Sequence, residues 1–458
     1  MAERRGFGSS RVGLVALLSG VGAAAGCGVK AKGPDEVPYI EVYETAQFGD
    51  LLHDYGTALL LVDVDQDGDL ELVAGSPSRD GGDGVVLLVD LASLTVEQLL
   101  VPWRPLGDTS ANHHRFGASL AHGDWNGDGR LDLAVGDPAA DVGAVVEAGE
   151  VWVFFGPLDA AVATRLSSSA ADSSARFGAT LAAGDFDDDG FADLAVGAPR
   201  PAELTAAADP NSVEVFYGPD FTRSERWDAQ SAGGEFGAAL VALPRADGGT
   251  ALVAGAPEWD ASVVARGGFF AWERFVDATA RTVAADDPRE QGLGRAGACG
   301  DFDGDGDEEL LVAAFGGGDS VALYRADTLA RQRRRSLPAP LAGRAGAPVV
   351  TLPDVSRDGA AELMLLAASA EERVALLFSP GRGASHLLLD RAGAAVVAGD
   401  LDGDGDLEYL VSRPTALQEG GGLSDLTVVD FTWTRVQQLA AARRPSAVIP
   451  GIGDLRTD

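Results

Sequence analysis

DWNGDGRLDLAVG, running from Asp124 to Gly136, is one of five closely similar phrases in this 458-residue chain. The others are DVDQDGDLELVAG from Asp63, DFDDDGFADLAVG from Asp185, DFDGDGDEELLVA from Asp301 and DLDGDGDLEYLVS from Asp400. One acidic glycine turn is an ordinary solvated bend. A recurring one demands a structural unit that is itself repeated. Marking each copy by the residue that ends it gives Gly75, Gly136, Gly197, Ala313 and Ser412. Two degenerate copies end at Gly255 and Leu366. The steps are 61, 61, 58, 58, 53 and 46 residues, so seven units consume most of the chain.

Each phrase has companions. Upstream stand YGTALLLVD, FGASLAHGD, FGATLAAGD, FGAALVALP, LGRAGACGD, AGAPVVTLPD and AGAAVVAGD. Downstream stand GVVLLVD, GEVWVFFGP, SVEVFYGPD, GGFFAWERF, SVALYRA, RVALLFSP and DLTVVDF. These short β-branched and aromatic runs, bounded by glycine, proline and acids, read as strands. A unit is therefore a strand, an acidic loop, a second strand, a turn, a third strand and room for an outer fourth, such as LTVEQLLVPW in unit one. One four-stranded sheet cannot bury both faces alone, whereas a ring of seven buries each against a neighbour. The expected fold is all-β, a seven-bladed β-propeller with four-stranded blades over residues 46–440. An open array of the same units is the alternative, but no capping unit is visible. Closure takes an outer strand either from VPYIEVYE near Tyr39 or from TRVQQLAAA around Val436.

The loops carry oxygen donors at alternate positions. In unit two these are Asp124, Asn126 and Asp128, then the backbone carbonyl of Arg130, then Asp132, with Gly129 turning the chain. Unit one offers Asp63, Asp65, Asp67, the Asp69 carbonyl and Glu71; unit three offers Asp185, Asp187, Asp189, the Phe191 carbonyl and Asp193. Unit five offers Asp301, Asp303, Asp305, the Asp307 carbonyl and Glu309; unit seven offers Asp400, Asp402, Asp404, the Asp406 carbonyl and Glu408. Unit six is weaker, with Asp354, Ser356, Asp358, the Ala360 carbonyl and Glu362. Six or seven hard oxygen ligands in irregular geometry suit Ca²⁺ better than Mg²⁺. Soft metals find neither sulfur nor clustered imidazole. Five or six structural Ca²⁺ sites are expected. Unit four, LPRADGGTALVAG, keeps the strands and loses the chelators, so a blade without a metal is expected there.

FGASLAHGDWNGDGRLDLAVGDP from Phe116 and FGATLAAGDFDDDGFADLAVGAP from Phe177 resemble the FG-GAP repeat, the unit of the integrin-alpha propeller and of many secreted bacterial proteins. The resemblance implies Ca²⁺ in the acidic loops and a role in adhesion or extracellular interaction. The later copies depart from it, with Leu293-Gly294 and Ala392-Gly393 in place of Phe-Gly.

RRGFGSSRVGLVALLSGVGAAAGCG has the basic start, apolar middle and small-residue end of an export signal, here residues 1–26. Its AAAGC segment resembles the bacterial lipoprotein box, with Ala24 where leucine is usual; it implies lipidation of Cys27, membrane contact through that anchor and a place as an outer-membrane or cell-surface lipoprotein. Ordinary secretion or a periplasmic chain is the alternative. Residues 27–45 would form a tether, and 441–458 a tail. A net charge of −35 opposes a phosphate backbone, so no nucleic-acid partner is expected. No specific catalytic motif occurs: HExxH, a catalytic GxSxG set and a P-loop are absent. The expected partner is an extracellular or envelope protein or glycan. The alternatives are an enzyme with an active site on a propeller face and a structural envelope protein. The pair His113-His114 reads as decoration of an inter-blade loop. RQRRRS, from Arg331 to Ser336, reads as a solvated blade turn, or else as a contact for an acidic partner.

Overall fold

Period-two packing and glycine-bounded β-branched runs set the strands, and antiparallel pairing of sequence neighbours sets the sheets. The computed structural model describes residues 39–42, 57–68, 70–77, 84–90, 95–102, 114–158, 163–170, 173–200, 211–229, 234–259, 266–277, 279–287, 291–315, 320–336, 349–354, 359–368, 373–379, 384–390, 395–399, 407–413 and 425–431. Among these residues the strands form seven four-stranded antiparallel sheets. Blade two pairs Ser119–Gly123, Asp132–Asp137, Glu150–Phe154 and Thr164–Leu166 in chain order. Blade three repeats this with Thr180–Gly184, Asp193–Ala198, Ser212–Tyr217 and Arg223–Asp228. Blades one, four, five and six follow the same plan, beginning at Ala58, Leu240, Leu293 and Val349. The seventh sheet is made of Val396–Gly399, Leu407–Arg413 and Asp425–Phe431, with Tyr39–Val42 as its outer strand. The competing closing segment around Val436 lies outside the described residues.

The first strand of each blade touches the first strand of the next, and Val396–Gly399 returns to Ala58–Val62. This closed circuit of inner strands is a β-propeller.

The apolar cores lie between blades. Trp125, Val151 and Phe177 pack with Val196, Phe216 and Phe221 at the seam of blades two and three. Phe236, Phe270 and Trp272 close around Trp227 at the next seam, with the two indoles 5.2 Å apart. Because both faces are covered, the second strand is buried throughout in blades one, two, three and five. The outer strands of blades three, four and five are charged and partly or fully exposed, which protects those sheet edges from pairing with another chain.

RQRRRS is one of those outer strands. Arg331–Ser336 pairs with Ser320–Arg325, so the sequence-based expectation of a turn was wrong. Its charge suits an edge strand as well as it suits a turn, and periodicity alone does not separate them.

The marker glycine has a packing reason. A Cβ at Gly136 would lie 2.1 Å from the Gly178 carbonyl oxygen of blade three. The second strand of one blade meets the Phe-Gly turn of the next backbone to backbone, and only glycine permits that approach.

Candidate metal centre

Among the described residues the acidic loops join the first strand of a blade to its second. Register fixes their two ends. The ninth loop residue pairs with the last residue of the first strand in Glu71–Val62, Asp132–Gly123, Asp193–Gly184, Glu309–Gly300, Glu362–Leu352 and Glu408–Gly399. In blades one, two, three, five and six that residue opens the second strand, and its carboxyl is carried inward: Glu71, Asp132, Asp193, Glu309 and Glu362 are at most 3% exposed.

The first aspartate folds each loop. Asp124 Oδ1 accepts the Asp128 N–H at 3.1 Å and its Oδ2 accepts the Gly129 N–H at 2.9 Å. Asp63, Asp185 and Asp301 make the same pair of bonds, to Asp67 and Gly68, Asp189 and Gly190, and Asp305 and Gly306. Asp354 makes the second of them, to Gly359 at 2.8 Å. The fifth residue caps the seventh: Asp128, Asp189 and Asp305 accept the N–H of Arg130, Phe191 and Asp307 at 2.8, 2.9 and 2.9 Å.

The ninth carboxylate ties the loop to the strand. The second loop residue donates its N–H to it in Val64–Glu71, Trp125–Asp132, Phe186–Asp193 and Phe302–Glu309, at 2.6 to 3.0 Å. Asp132 and Asp193 also accept from Gly156 and Gly218. Trp125, Phe186 and Phe302 are fully buried under their loops. These apolar anchors were missed in the sequence reading, although a large apolar residue recurs at the second position and was the available signal.

Oxygens from the first, third and ninth positions converge in three loops. Asp63, Asp65 and Glu71 each bring one carboxylate oxygen within 4.8 Å of the others, and so do Asp185, Asp187, Asp193 and Asp301, Asp303, Glu309. Two ligands at about 2.4 Å from one Ca²⁺ lie at most about 4.8 Å apart, so the spacing fits one ion per triad. In blade two the third donor is the amide of Asn126, whose Oδ1 accepts the Asp128 N–H. The fifth-position acids Asp67, Asp189 and Asp305 stand outside the triads. Asp69, Ser356, Asp358, Asp400, Asp402, Asp404 and Asp406 lie outside the described residues, and Glu408 is described only as part of its strand.

Electrostatics shows how costly the clustered carboxylates are to ionise. Burial, reinforced by the neighbouring loop carboxylates and opposed by backbone hydrogen bonds, pushes Glu71, Asp193 and Glu309 up to about 7. Asp132 and Asp187 rise for the same first cause. Asp187 Oδ1 is buried with no hydrogen-bond partner. A divalent cation would satisfy that atom and hold the buried acids ionised. Hard oxygen donors, converging triads and an orphaned carboxylate oxygen all fit Ca²⁺.

Blade four has strands but a contracted loop: residues 245–249 stand where 185–192 stand in blade three. At the far end of the second strand, blade two holds a buried cluster that the sequence reading misplaced. His114 is buried, not decorative, with Nδ1 2.9 Å from Asp137 Oδ2, while His113 lies outside the described residues. Glu150 pairs across the sheet from Asp137, and burial pushes it up to about 7 against the opposing charge of Arg165. Its partners stand more than ten residues apart in sequence, which hides the cluster from any local pattern.

A family model for the FG-GAP repeat matches residues 116–154, through the third strand of blade two, and 177–211, which stops just before the third strand of blade three. The human phosphatidylinositol-glycan-specific phospholipase D is 31% identical over 231 residues, 44% of this chain and 26% of that protein. Integrin alpha-4 of Xenopus laevis is 34% identical over 128 residues, 27% of this chain and 12% of the integrin. Human integrin alpha-IIb is 37% identical over 144 residues, 29% of this chain and 13% of the integrin. The chain thus spans about a quarter or less of the length of these relatives.

Proposed function

Taking this chain as an FG-GAP-repeat, integrin-alpha-like propeller, we propose that it is an exported, calcium-stabilised interaction module that binds an extracellular or envelope protein or glycan. The observation that carries the reading is the recurrence of one loop design, with a buried ninth carboxylate and a converging triad, in blade after blade. In this reading Ca²⁺ neutralises clustered carboxylates and pins the loops. Asp63, Asp65 and Glu71, Asp124, Asn126 and Asp132, Asp185, Asp187 and Asp193, and Asp301, Asp303 and Glu309 would hold it. A rigid ring then presents its faces to a partner. The integrin relatives support the interaction class. Export and lipidation at Cys27 rest on the sequence of residues 1–27 and are tested by the mass of the mature N-terminus.

The phospholipase D relatives favour an enzymatic second reading. The match covers 26% of the human enzyme, and no catalytic motif stands in this sequence. Capture from extracellular or envelope material, in calcium and in chelator, separates the two. A protein or glycan retained in calcium and released by chelator supports the module; a turnover product without a macromolecular partner supports the enzyme.

A further inference from the structure

Blade four lacks a chelating loop, yet arginines crowd its junction with the acidic loop of blade three. Arg245, in the contracted loop, places Nη2 3.1 Å from Asp188 Oδ2 and 2.6 Å from Asp247 Oδ2. Its Nη1 donates to the Glu273 carbonyl. Arg274 reaches the same loop from the end of the third strand of blade four. Its Nε lies 3.1 Å from Asp188 Oδ2, and its Nη2 donates to the Asp187 carbonyl. From the outer strand of blade three, Arg223 donates to Asp187 Oδ2 at 3.0 Å. Gly249 makes room: a Cβ there would lie 2.1 Å from Asp188 Oδ1.

Asp188 is the fourth residue of its loop, with φ of 63°. Gln66, Gly127 and Gly304 hold the same position and hand in loops one, two and five. Each of these meets the next loop without charge. Gln66 Nε2 donates to the Gly129 carbonyl at 2.6 Å, Gly127 lies against the Phe191 ring, and Gly304 lies against the Gly359 carbonyl. Only in blade three, among these loops, is the fourth residue a carboxylate, and there two guanidinium groups from the next blade meet it.

We propose that blade four substitutes an arginine clasp for a cation, and that Arg245 and Arg274 hold the acidic loop of blade three in its folded shape whether or not that loop contains a metal ion. The proposal rests on the calcium reading for what happens in the other loops. Planar guanidinium forks bind a carboxylate and a backbone carbonyl together, which fixes orientation as well as charge. Isolated surface pairs contribute little, but here one carboxylate is shared by two arginines, and Arg245 is 18% exposed. The clasp acts from outside the triad. It grips Asp188 and the Asp187 carbonyl, and leaves Asp185, Asp193 and the buried Asp187 Oδ1 to a cation. Arg245 and Arg274 are positioning residues for the loop.

Hydrogen exchange of the intact protein tests this, read at the loop amides that the first aspartate accepts. In excess chelator, wild-type Asp189 and Gly190 should exchange at least about tenfold more slowly than Asp128 and Gly129 or Asp305 and Gly306. In the Arg245→Ala/Arg274→Ala variant that difference should vanish, and saturating calcium should restore protection. Asp188→Asn removes the shared charge without changing shape, and should move protection the same way; it carries the test if the double variant fails to fold. Equal exchange of all three loops in wild-type chelator samples would overturn the clasp. So would protection of loop three that survives both variants. Calorimetry with calcium alone is the separate arm: no uptake by any loop defeats the calcium reading, while the chelator measurements still decide the clasp.

Discussion

Replacing Gly136 by alanine separates the inter-blade seam from ordinary strand energetics. Gly136 lies inside a strand and is not among the positive-φ glycines, so alanine suits its backbone. On an open strand the change would stabilise by about 0.4–1 kcal/mol, because alanine loses less chain entropy on folding. The seam reverses the sign. The new methyl would sit 2.1 Å from the Gly178 carbonyl oxygen and 2.2 Å from Ser119 Oγ, where ordinary contact begins at 3.4 Å. More than an ångström of backbone movement is required, and overpacking of this kind costs about 1–3 kcal/mol. The 2.7 Å bond from Ser119 Oγ to the Gly178 carbonyl spans the same gap, and losing it adds about 1 kcal/mol. With the entropic gain subtracted, the net loss is about 1–3.5 kcal/mol. With an m-value of about 3 kcal/mol/M for a chain of this size, the urea midpoint in saturating calcium should fall by up to about 1 M. Gly129→Ala is the control: nothing lies within 4 Å, and only its φ of 80° opposes alanine. Its loss should stay near 1 kcal/mol, or about 0.3 M. A Gly136→Ala protein as stable as wild type, or more so, would refute this account of the seam.

In chelator, stability should fall as pH rises from about 4 to about 7. Glu71, Asp193 and Glu309 have folded values of about 7 against ordinary values near 4, so the folded chain holds more protons than the unfolded chain across that window. Urea midpoints against pH should show this slope without calcium and lose it with calcium, and a rise with pH in chelator would contradict it. Calcium affinity should strengthen over the same window, because bound protons must leave, and calorimetry in buffers of different ionisation heat would record their release. Asp124→Ala with Asp128→Ala should remove one bound ion, whereas Asp247→Ala in the contracted loop should leave the count unchanged by metal analysis. Trp125→Ala should cost about 3–5 kcal/mol in urea melts, since the ring is fully buried beneath loop two and at the seam with blade three.

The sequence carried most of the fold because a propeller repeats one local design. The phrase from Phe116 to Pro138 contains its own first strand, loop, second strand and seam glycine, and the same register at the loop appears in blades one, two, three, five and seven. The sequence also marked the acidic loop positions proposed to chelate, and the structure brings the first, third and ninth of them together in loops one, three and five. It did not reveal the double role of the ninth acid, as buried strand-opener and acceptor for the second residue, because partners such as Gly156 for Asp132 and Gly218 for Asp193 stand 24 and 25 residues downstream. The arginine clasp was equally hidden. Arg245 and Asp188 are 57 residues apart, and nothing local to either distinguishes a clasp from a surface charge. Edge strands were the other weak point. Arg331–Ser336 has no apolar alternation, and only its pairing with Ser320–Arg325 makes it a strand.

The most direct measurement is calcium titration of the metal-stripped chain, with the bound ions counted by elemental analysis and the melting temperature followed at each step. Five or six ions per chain, with a large upward shift in melting temperature, is the predicted result. A chain that takes up no calcium at millimolar concentration, and melts at the same temperature with and without it, would contradict the reading of the acidic loops.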